Sequence, residues 1–499
     1  MTRVILEGMT RVRYAEVALG AVVSAIAIAL GARFALSAGG LWRDEVSTFN
    51  LATRPTYPDV LAALHFDSAP ALYPTILRAW IAVFTGDDPA MRALGFVLAV
   101  AAVAVLWIGA RTLGVRVPLL ALTLFAAQGV VVQTVSVVKP YGLGTVLAIA
   151  AFCAISALAA RPGWLTFATA TLLAVASAQT AYQNVALIVP VAAVAAAVVA
   201  LRDRRAAALV AIAGALALLS VLPYAPLLMR SQDWRPLVQQ EIPARWVFDA
   251  LARAFTGRSA VVGVVWLAAT ALALHAAGRE LAAIRRDPAS RDGRSVYAVL
   301  VALVAIAAFV PFLILSGRPP LTWHCVHVLA VVALALDLAL SGGAPAVRWA
   351  RVGLASVALA VIVPAAIGHV GLRQTNVDRI ARHLTPGVHR DDLVVVNPWW
   401  LGLTFARYYR GDAPFLTLPP IADLTVHRYD LLKARMVSTE PLADLHHAIV
   451  DRLRAGRRVW LVGSFQPFFV PPGKRPPVLP PAPGAPSGWL DHPYADAWA

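Results

Sequence analysis

Three features of this sequence predict a mainly α, polytopic helical membrane protein with a small α/β domain towards its C-terminal end. The 499 residues are 59% hydrophobic and only 14% charged, too little charge to clothe a soluble protein of that size. Apolar runs near or above the roughly 18 residues that cross a bilayer recur as far as about position 370. Beyond that point the pattern turns to short strand-like and helix-like segments.

The apolar runs fall at 14–36, 92–110, 117–135, 142–160, 164–178, 183–201, 206–228, 260–278, 296–316, 322–341 and 350–369. That is about eleven spans. The first is too long for a signal-peptide core and lacks an evident cleavage site, so it reads as an uncleaved span. The apolar stretch 164–201 is too long for one helix, and Gln179, Tyr182, Gln183 and Asn184 supply its turn. Between the first two spans, 57–64 and 71–84 read as amphipathic helices on the membrane surface, with Pro58 and Pro70 suited to their N-termini.

The last part predicts a small domain over 371–470 after a membrane region over 1–370. Residues 391–397 and 457–463 have a buried-strand pattern. Between them, 441–454 has helical periodicity, with Leu442, Leu445, Ile449 and Leu453 on one face. The remaining tail, 471–499, is Pro-rich over 471–486 and reads as extended or disordered.

Net charge is +16, yet the basic residues sit mostly in short loops between apolar runs. With an inward N-terminus (Arg3, Arg11, Arg13), eleven spans place Arg111, Arg116, Arg161, Arg202, Arg204, Arg205, Arg279, Arg285, Arg286, Arg291, Arg294, Arg348 and Arg351 on the same side. The positive-inside rule favours that arrangement. It sends 37–91, 229–259 and everything after about His369 outward. No basic stripe interleaved with exposed aromatics occurs, so nucleic acid is not an expected partner. Cys153 and Cys325 lie in or beside spans and support no disulfide framework.

Carboxylates are costly beside hydrocarbon, and they usually mark chemistry or a permeation path. Here they gather just past the first span, in Leu41-Trp42-Arg43-Asp44-Glu45-Val46 and His65-Phe66-Asp67-Ser68-Ala69-Pro70-Ala71-Leu72-Tyr73. The plainer alternative is a solvated acid pair beside Trp42 as an interfacial anchor. Gly86-Asp87-Asp88-Pro89-Ala90-Met91-Arg92 then opens the second span, and Lys139-Pro140-Tyr141-Gly142-Leu143 follows the third.

In order and spacing these segments resemble the first outer loop of the GT-C glycosyltransferases. The nearest groups are the protein O-mannosyltransferases, the lipid A aminoarabinose transferase and related Rgt-type bacterial enzymes. Such loops read approximately W-x-D-E, then D-x-x-P-x-L-Y, then G-D with an Arg opening the second span. Each motif is weak alone; together they cover the first 145 residues.

The resemblance implies an integral protein of the bacterial inner or plasma membrane that takes a sugar from a polyprenyl-phosphate carrier. The sugar passes with inversion to a lipid, glycan or protein acceptor outside. Asp44 matches the family's catalytic Asp, the general base for the acceptor hydroxyl. Glu45 and Asp67 would orient the acceptor, tune Asp44, or help hold a divalent cation. Metal use stays open, with Asp44, His65 and Asp67 as its ligands. Arg92, Lys139 and Tyr141 would stabilise the departing lipid phosphate, together with Arg318, His324 and His327. The two histidines depart from the Arg-Tyr that relatives place there, and histidines simply hydrogen-bonded at a helix end are the plainer reading. Arg407-Tyr408-Tyr409 reads as a helix surface with one buried Tyr. Arg230, Trp234, Arg235 and Trp246 either cover the site or anchor at the interface.

A transporter or flippase is the rival class, since it would also place charge among spans. Transporters typically carry paired repeats and broken helices near the midplane, and no repeat is visible here. A scaffold displaying the last domain would need neither the acids nor Lys139. No glycine-rich phosphate loop opens a strand, which fits a lipid-carried sugar rather than a soluble nucleotide sugar.

Overall fold

The computed structural model describes residues 2–67, 69–231, 234, 237, 241–287, 293–465 and 498, with the side chains of 2–9 set aside. The Pro-rich tail and Arg235 lie outside the described residues. The chain opens with α1 (Thr2–Ser37), followed by three helices of the acidic loop: α2 (Arg43–Ala52), α3 (Tyr57–Ala63) and α4 (Leu72–Val83). After α5 (Asp88–Thr112), α6 (Leu119–Ala121) runs through a π-helical stretch, Leu122–Ala126, and the chain bends by 78° into α7 (Gly129–Ser136). Then come α8 (Tyr141–Ala160), α9 (Trp164–Ala178), α10 (Val185–Ala200), α11 (Arg204–Leu219), α12 (Ala225–Arg230) and α13 (Ala244–Thr256). The bundle closes with α14 (Ala260–Arg286), α15 (Arg294–Leu315), α16 (Val326–Ser341) and α17 (Pro345–Val370).

All eleven apolar runs fold as helices, but the span count needs correcting. Among the described residues nine helices are long and apolar enough to cross a membrane, ten if the bent pair is one span. The expected span at 117–135 is the bent pair. The one at 164–178 is a 15-residue helix, about 22 Å long against a hydrocarbon core of about 30 Å. Helix α16 is the axis of the bundle, with its residues from Val326 to Leu340 all buried. A fully apolar surface such as this needs neighbours all round it.

Past the bundle, α18 (Val377–Leu384) leads to β1 (Leu393–Asn397), α19 (Leu401–Tyr408) and β2 (Phe415–Thr417), then α20 (Tyr429–Val437), α21 (Ala443–Arg454) and β3 (Val459–Gly463). The strands form a parallel sheet in the order β2-β1-β3, with Val395 opposite Leu416 on one side and Leu461 on the other. β1 is buried throughout, as a central parallel strand covered on both faces must be. The sequence pattern found β1, β3 and α21; it missed β2, whose three residues are too few to show a period.

This unit is bolted to the acidic loop. The Tyr408 hydroxyl donates to Asp88 at 2.8 Å and accepts from the Leu41 N–H at 2.6 Å. Arg407 Nη2 donates to the Gly86 carbonyl at 2.8 Å, and Asn50 Nδ2 to the Thr425 carbonyl at 2.9 Å. The Arg-Tyr pair is therefore a docking pin rather than a plain helix surface.

At the other end of the bundle lies a closed set of four charges. Glu16 accepts from Arg348 and, at 2.6 Å, from Arg351, whose other Nη atom reaches Asp337 at 3.3 Å. Asp337 also accepts the Leu120 and Ala121 N–H groups, at 3.1 and 2.8 Å. Two positive and two negative charges thus tie α1, α16, α17 and the start of α6 together. Arg348 and Arg351 are buried ion-pair members, not the loop charges that the sequence reading counted.

Candidate active site

The site begins with a turn. Gly39 has φ +71, a conformation that only glycine adopts freely, and a Cβ there would stand 2.3 Å from the Arg373 guanidinium. The turn releases the carbonyls of Gly39 and Gly40, and both accept from Arg92, at 3.1 and 2.8 Å. Asp44 and Glu45 then fall in the first turn of α2, where the helix dipole favours carboxylates.

One residue apart on a helix, the two acids point in different directions and meet different fates. Glu45 is fully buried. It takes a two-pronged pair of bonds from Arg92, at 2.6 and 3.0 Å, one from the Val138 N–H at 2.9 Å, and one from its own Trp42 N–H at 3.1 Å. Every lone-pair direction is used. Arg92, 5% exposed, is likewise committed to Glu45 and the two glycine carbonyls. In this structure Glu45 anchors the loop and Arg92 clamps it.

Asp44 stays open, its side chain 30% exposed. Arg43 Nε lies 3.3 Å from its Oδ1, and His427 Nε2, from the loop before α20, lies 3.4 Å from the same oxygen. Burial drives the His427 pKa down to about 4; Asp44 opposes that shift, while Arg43 and Lys139 add to it. His427 is therefore neutral at ordinary pH, and its contact with Asp44 is polar rather than ionic. Its ring is wedged against the edge of Trp399 and stacked on Tyr429, on which Trp234 also stacks. Trp234 is buried there, so this part of the 229–259 segment packs on the ring stack that holds His427.

Beside Asp44 stands a second group. Lys139 Nζ donates to Thr48 Oγ1 at 2.9 Å and to Asp67 at 3.3 Å, while Thr48 donates to Asp67 at 3.2 Å. Burial weighs against the ammonium, but Asp67, Tyr141 and Asp44 outweigh it and hold the Lys139 pKa above the usual lysine value. Glycines bring Lys139 here. A Cβ on Gly95 would lie 1.9 Å from the Ser136 carbonyl oxygen, and one on Gly142 would lie 2.1 Å from that of Val135. With no side chain at either position, the end of α7 wedges between α5 and α8, which presents Val138 to Glu45 and Lys139 to Asp67.

The charges acting on the Tyr141 phenol are Lys139, Asp44, Asp67 and Arg318, so these groups share one neighbourhood. Arg318, after Gly317 at φ +66, also acts on His324, whose Nδ1 accepts the Leu321 N–H at 3.2 Å. His327 is different. It is fully buried, and its Nδ1 meets Asn184 Oδ1, while Asn184 Nδ2 donates to the Gly144 and Ser177 carbonyls at 3.0 and 3.1 Å. His327 is thus a core histidine of α16, tied through Asn184 to α8, with its Nε2 buried and unpartnered.

The expected metal trio is not assembled. Among the described residues no three His, Cys, Asp or Glu side chains gather as ligands. His65 Nδ1 lies 2.7 Å from the Ala62 carbonyl and so serves its own short helix. Cys153 and Cys325 are free, buried thiols.

Several buried polar atoms in this region have no hydrogen-bond partner: Trp42 Nε1, Tyr73 OH, Gln183 Nε2 and, despite its approach to Asp44, His427 Nε2. Tyr73 lies in the field of Glu45 and Asp67, and Tyr182 in that of Asp67. An unpaired buried donor costs about 1–3 kcal/mol. A cluster of them beside an open carboxylate has the character of a site completed by a ligand. His427, Gln183 and the Lys139 partner Thr48 are groups that the sequence did not single out as site residues. Nothing in the runs around His427 and Thr48 sets them apart; Gln183 showed only as a turn residue.

An eleven-run helical bundle, an acidic loop folded over one end and a small parallel sheet docked on that loop define the GT-C type of membrane fold. Two solved structures of ArnT from Cupriavidus metallidurans, one bound to undecaprenyl phosphate and one in the apo state, share it with a TM-score of 0.52 each. They are 12% and 13% identical to this chain, and each alignment covers 86% of this chain and 94% of the other. No protein-family model and no curated protein sequence matches this chain.

Proposed function

We propose that this protein is a membrane glycosyltransferase that moves a sugar from a polyprenyl-phosphate carrier to an acceptor hydroxyl, with Asp44 as general base. The observation that carries the reading is Asp44 itself: a half-open carboxylate on the first turn of α2, beside the buried Lys139–Asp67–Thr48 group. The fold shared with a protein crystallised with undecaprenyl phosphate supports the same reading.

The acceptor O–H gives its proton to Asp44 as its oxygen attacks the anomeric carbon. The bond from that carbon to the phosphate oxygen breaks, and polyprenyl phosphate leaves with the electron pair. Direct displacement inverts the anomeric centre. Lys139, held by Thr48 and by both oxygens of Asp67, supplies the positive charge for the phosphate. Arg318, Tyr141 and His324 complete the cationic and donor side. Glu45 and Arg92 hold the loop, and Asp67 holds Lys139.

With the short α9 and the bent pair α6–α7 each counted as a crossing, the basic loops favour a cytoplasmic N-terminus and catalysis on the outer face of a bacterial plasma membrane. A transporter reading could claim only the broken pair α6–α7. That pair has no counterpart elsewhere among the described residues.

The test is Asp44→Asn, purified and assayed with a panel of polyprenyl-phosphate hexoses and pentoses. Losing a general base lowers turnover by about 10²–10⁴-fold. The thermal midpoint should stay near wild type, because Asp44 is not part of the buried clamp. Near-normal turnover by Asp44→Asn would sink the assignment.

A further inference from the structure

A cleft of about 490 Å³ lies where the C-terminal end of α2 meets the sheet unit. Its walls come from Asn50 of α2, from Leu403, Ala406, Arg407 and Arg410 in and just after α19, and from residues 422–425. A cavity of this size is within the range that holds a small molecule or a sugar unit. It is separate from the Asp44–Lys139 group but joined to it through two elements. Asn50 and Asp44 are six residues apart on α2, about 9 Å along the axis. The 422–425 wall continues directly into His427, which touches Asp44.

The charges of the cleft do not cancel. Asp423 is already neutralised: it accepts from Arg428 at 2.5 Å, from the Thr425 N–H at 2.9 Å and from the Thr425 hydroxyl at 2.6 Å. Arg407 is balanced by Asp88 at 3.3 Å, yet its Nε is buried and lacks a partner. Arg410 gives one N–H to its neighbour's carbonyl, at 2.8 Å from Tyr409 O, and has no ion pair among the described residues. Alongside these guanidinia the cleft offers the apolar surfaces of Leu403, Ala406, Ala422 and Leu424. Planar N–H forks over apolar walls suit a phosphate or carboxylate attached to a sugar.

We infer that this cleft is an acceptor subsite that grips an anionic group, phosphate or carboxylate, on the glycan receiving the sugar. The inference rests on the transferase reading and deepens it: the acceptor is an anionic glycan, and the cleft holds its charged group while a hydroxyl reaches Asp44. Arg410 fixes affinity for the acceptor and takes no part in the donor's chemistry.

The experiment uses the full-length protein in nanodiscs and direct binding of two probes, glucosamine 1-phosphate and glucuronate, with uncharged glucose as control. Wild type should bind at least one anionic probe saturably and more weakly as salt rises. Arg410→Glu should lose that binding by tenfold or more, and Arg410→Lys should keep part of it. Arg410 is exposed, so these variants test the site rather than the fold. Preference for the phosphate points to a phosphorylated glycan or glycolipid, and preference for glucuronate to a uronate-bearing polymer. Equal binding by wild type and Arg410→Glu, or no binding of either anion by wild type, overturns the inference. Binding of a polyprenyl-phosphate sugar, measured in parallel, separates the two failures. If the donor binds and the anions do not, only the subsite is wrong; if no donor binds, the transferase reading itself is in doubt.

Discussion

The two ends of the helical bundle hold charge in opposite ways. At one end Glu16, Asp337, Arg348 and Arg351 form a neutral quartet, all but sealed from solvent, in which each carboxylate meets guanidinium and Asp337 also meets two backbone N–H groups. At the other end Asp44 is part-exposed, and polar groups of Trp42, Tyr73, Gln183 and His427 are buried without hydrogen-bond partners. Incomplete hydrogen bonding alone does not mark the site, since Arg351 Nε in the quartet is also buried without a partner; what sets the open end apart is a part-exposed carboxylate beside such groups. The Glu45–Arg92 pair sharpens the point, because it sits inside the open end yet Glu45 has a donor on every lone-pair direction.

The largest expected effects come from breaking closed sets. Arg351→Ala would leave Asp337 with no guanidinium and Glu16 with Arg348 alone, and Arg92→Ala would leave Glu45 with no counter-charge. Removing one partner of a buried pair costs about 3–5 kcal/mol. Both variants should show a clear drop in thermal midpoint in detergent, and reduced yield. Arg92→Lys should lose most of the same stability, because an ammonium cannot copy the two-pronged contact. A stable Arg92→Ala with selectively weakened donor binding would return Arg92 to the donor site.

At the open end, Lys139→Met should act on the donor more than on the fold. Charge-assisted bonds to an anion are worth about 1.5–3 kcal/mol, so donor affinity or the chemical step should fall roughly 10- to 150-fold. Acceptor dependence should change little. Because the variant also strands Asp67, the double change Lys139→Met with Asp67→Asn is the control. It should recover the thermal midpoint without recovering donor use. A loss confined to acceptor affinity would move Lys139 to the acceptor's side.

How far the sequence disclosed this contrast depended on whether the partners lay nearby in the chain. The spans, the acidic loop, β1, β3 and α21 were readable because hydrophobic period and length are local properties. So was the importance of the Asp44-Glu45 pair. Which of the two acids is buried was not readable, because that depends on Arg92 and on the Val138 N–H arriving from α5 and from beyond α7. Arg348 and Arg351 looked like loop charges because their partners are remote: Glu16 is on α1 and Asp337 on the preceding helix. The kink after Ala126 was hidden inside a run apolar enough to pass as one span. His327 and His427 looked alike in sequence. One meets an amide in the core and the other faces the open carboxylate, a difference that only the packing of distant helices creates.

The smallest effect concerns His427 and pH. Its folded pKa of about 4 lies below the ordinary value of 6.5, so between those values the unfolded chain binds the extra proton. Stability must then rise with pH across that window. The contribution is complete above about pH 6.5 and is lost as pH falls towards 4. Asp44 and Asp67 act on the ring to raise its pKa, Arg43 and Lys139 to lower it, and burial is the largest cause. In His427→Gln the amide can still reach Asp44 but cannot titrate. Its thermal midpoint should therefore fall less steeply than that of wild type from pH 6.5 to 4, while turnover at pH 7.5 drops only a few-fold. If the two curves run parallel through that window, His427 is not the titrating group, and the acid sensitivity of the open end belongs to its carboxylates instead.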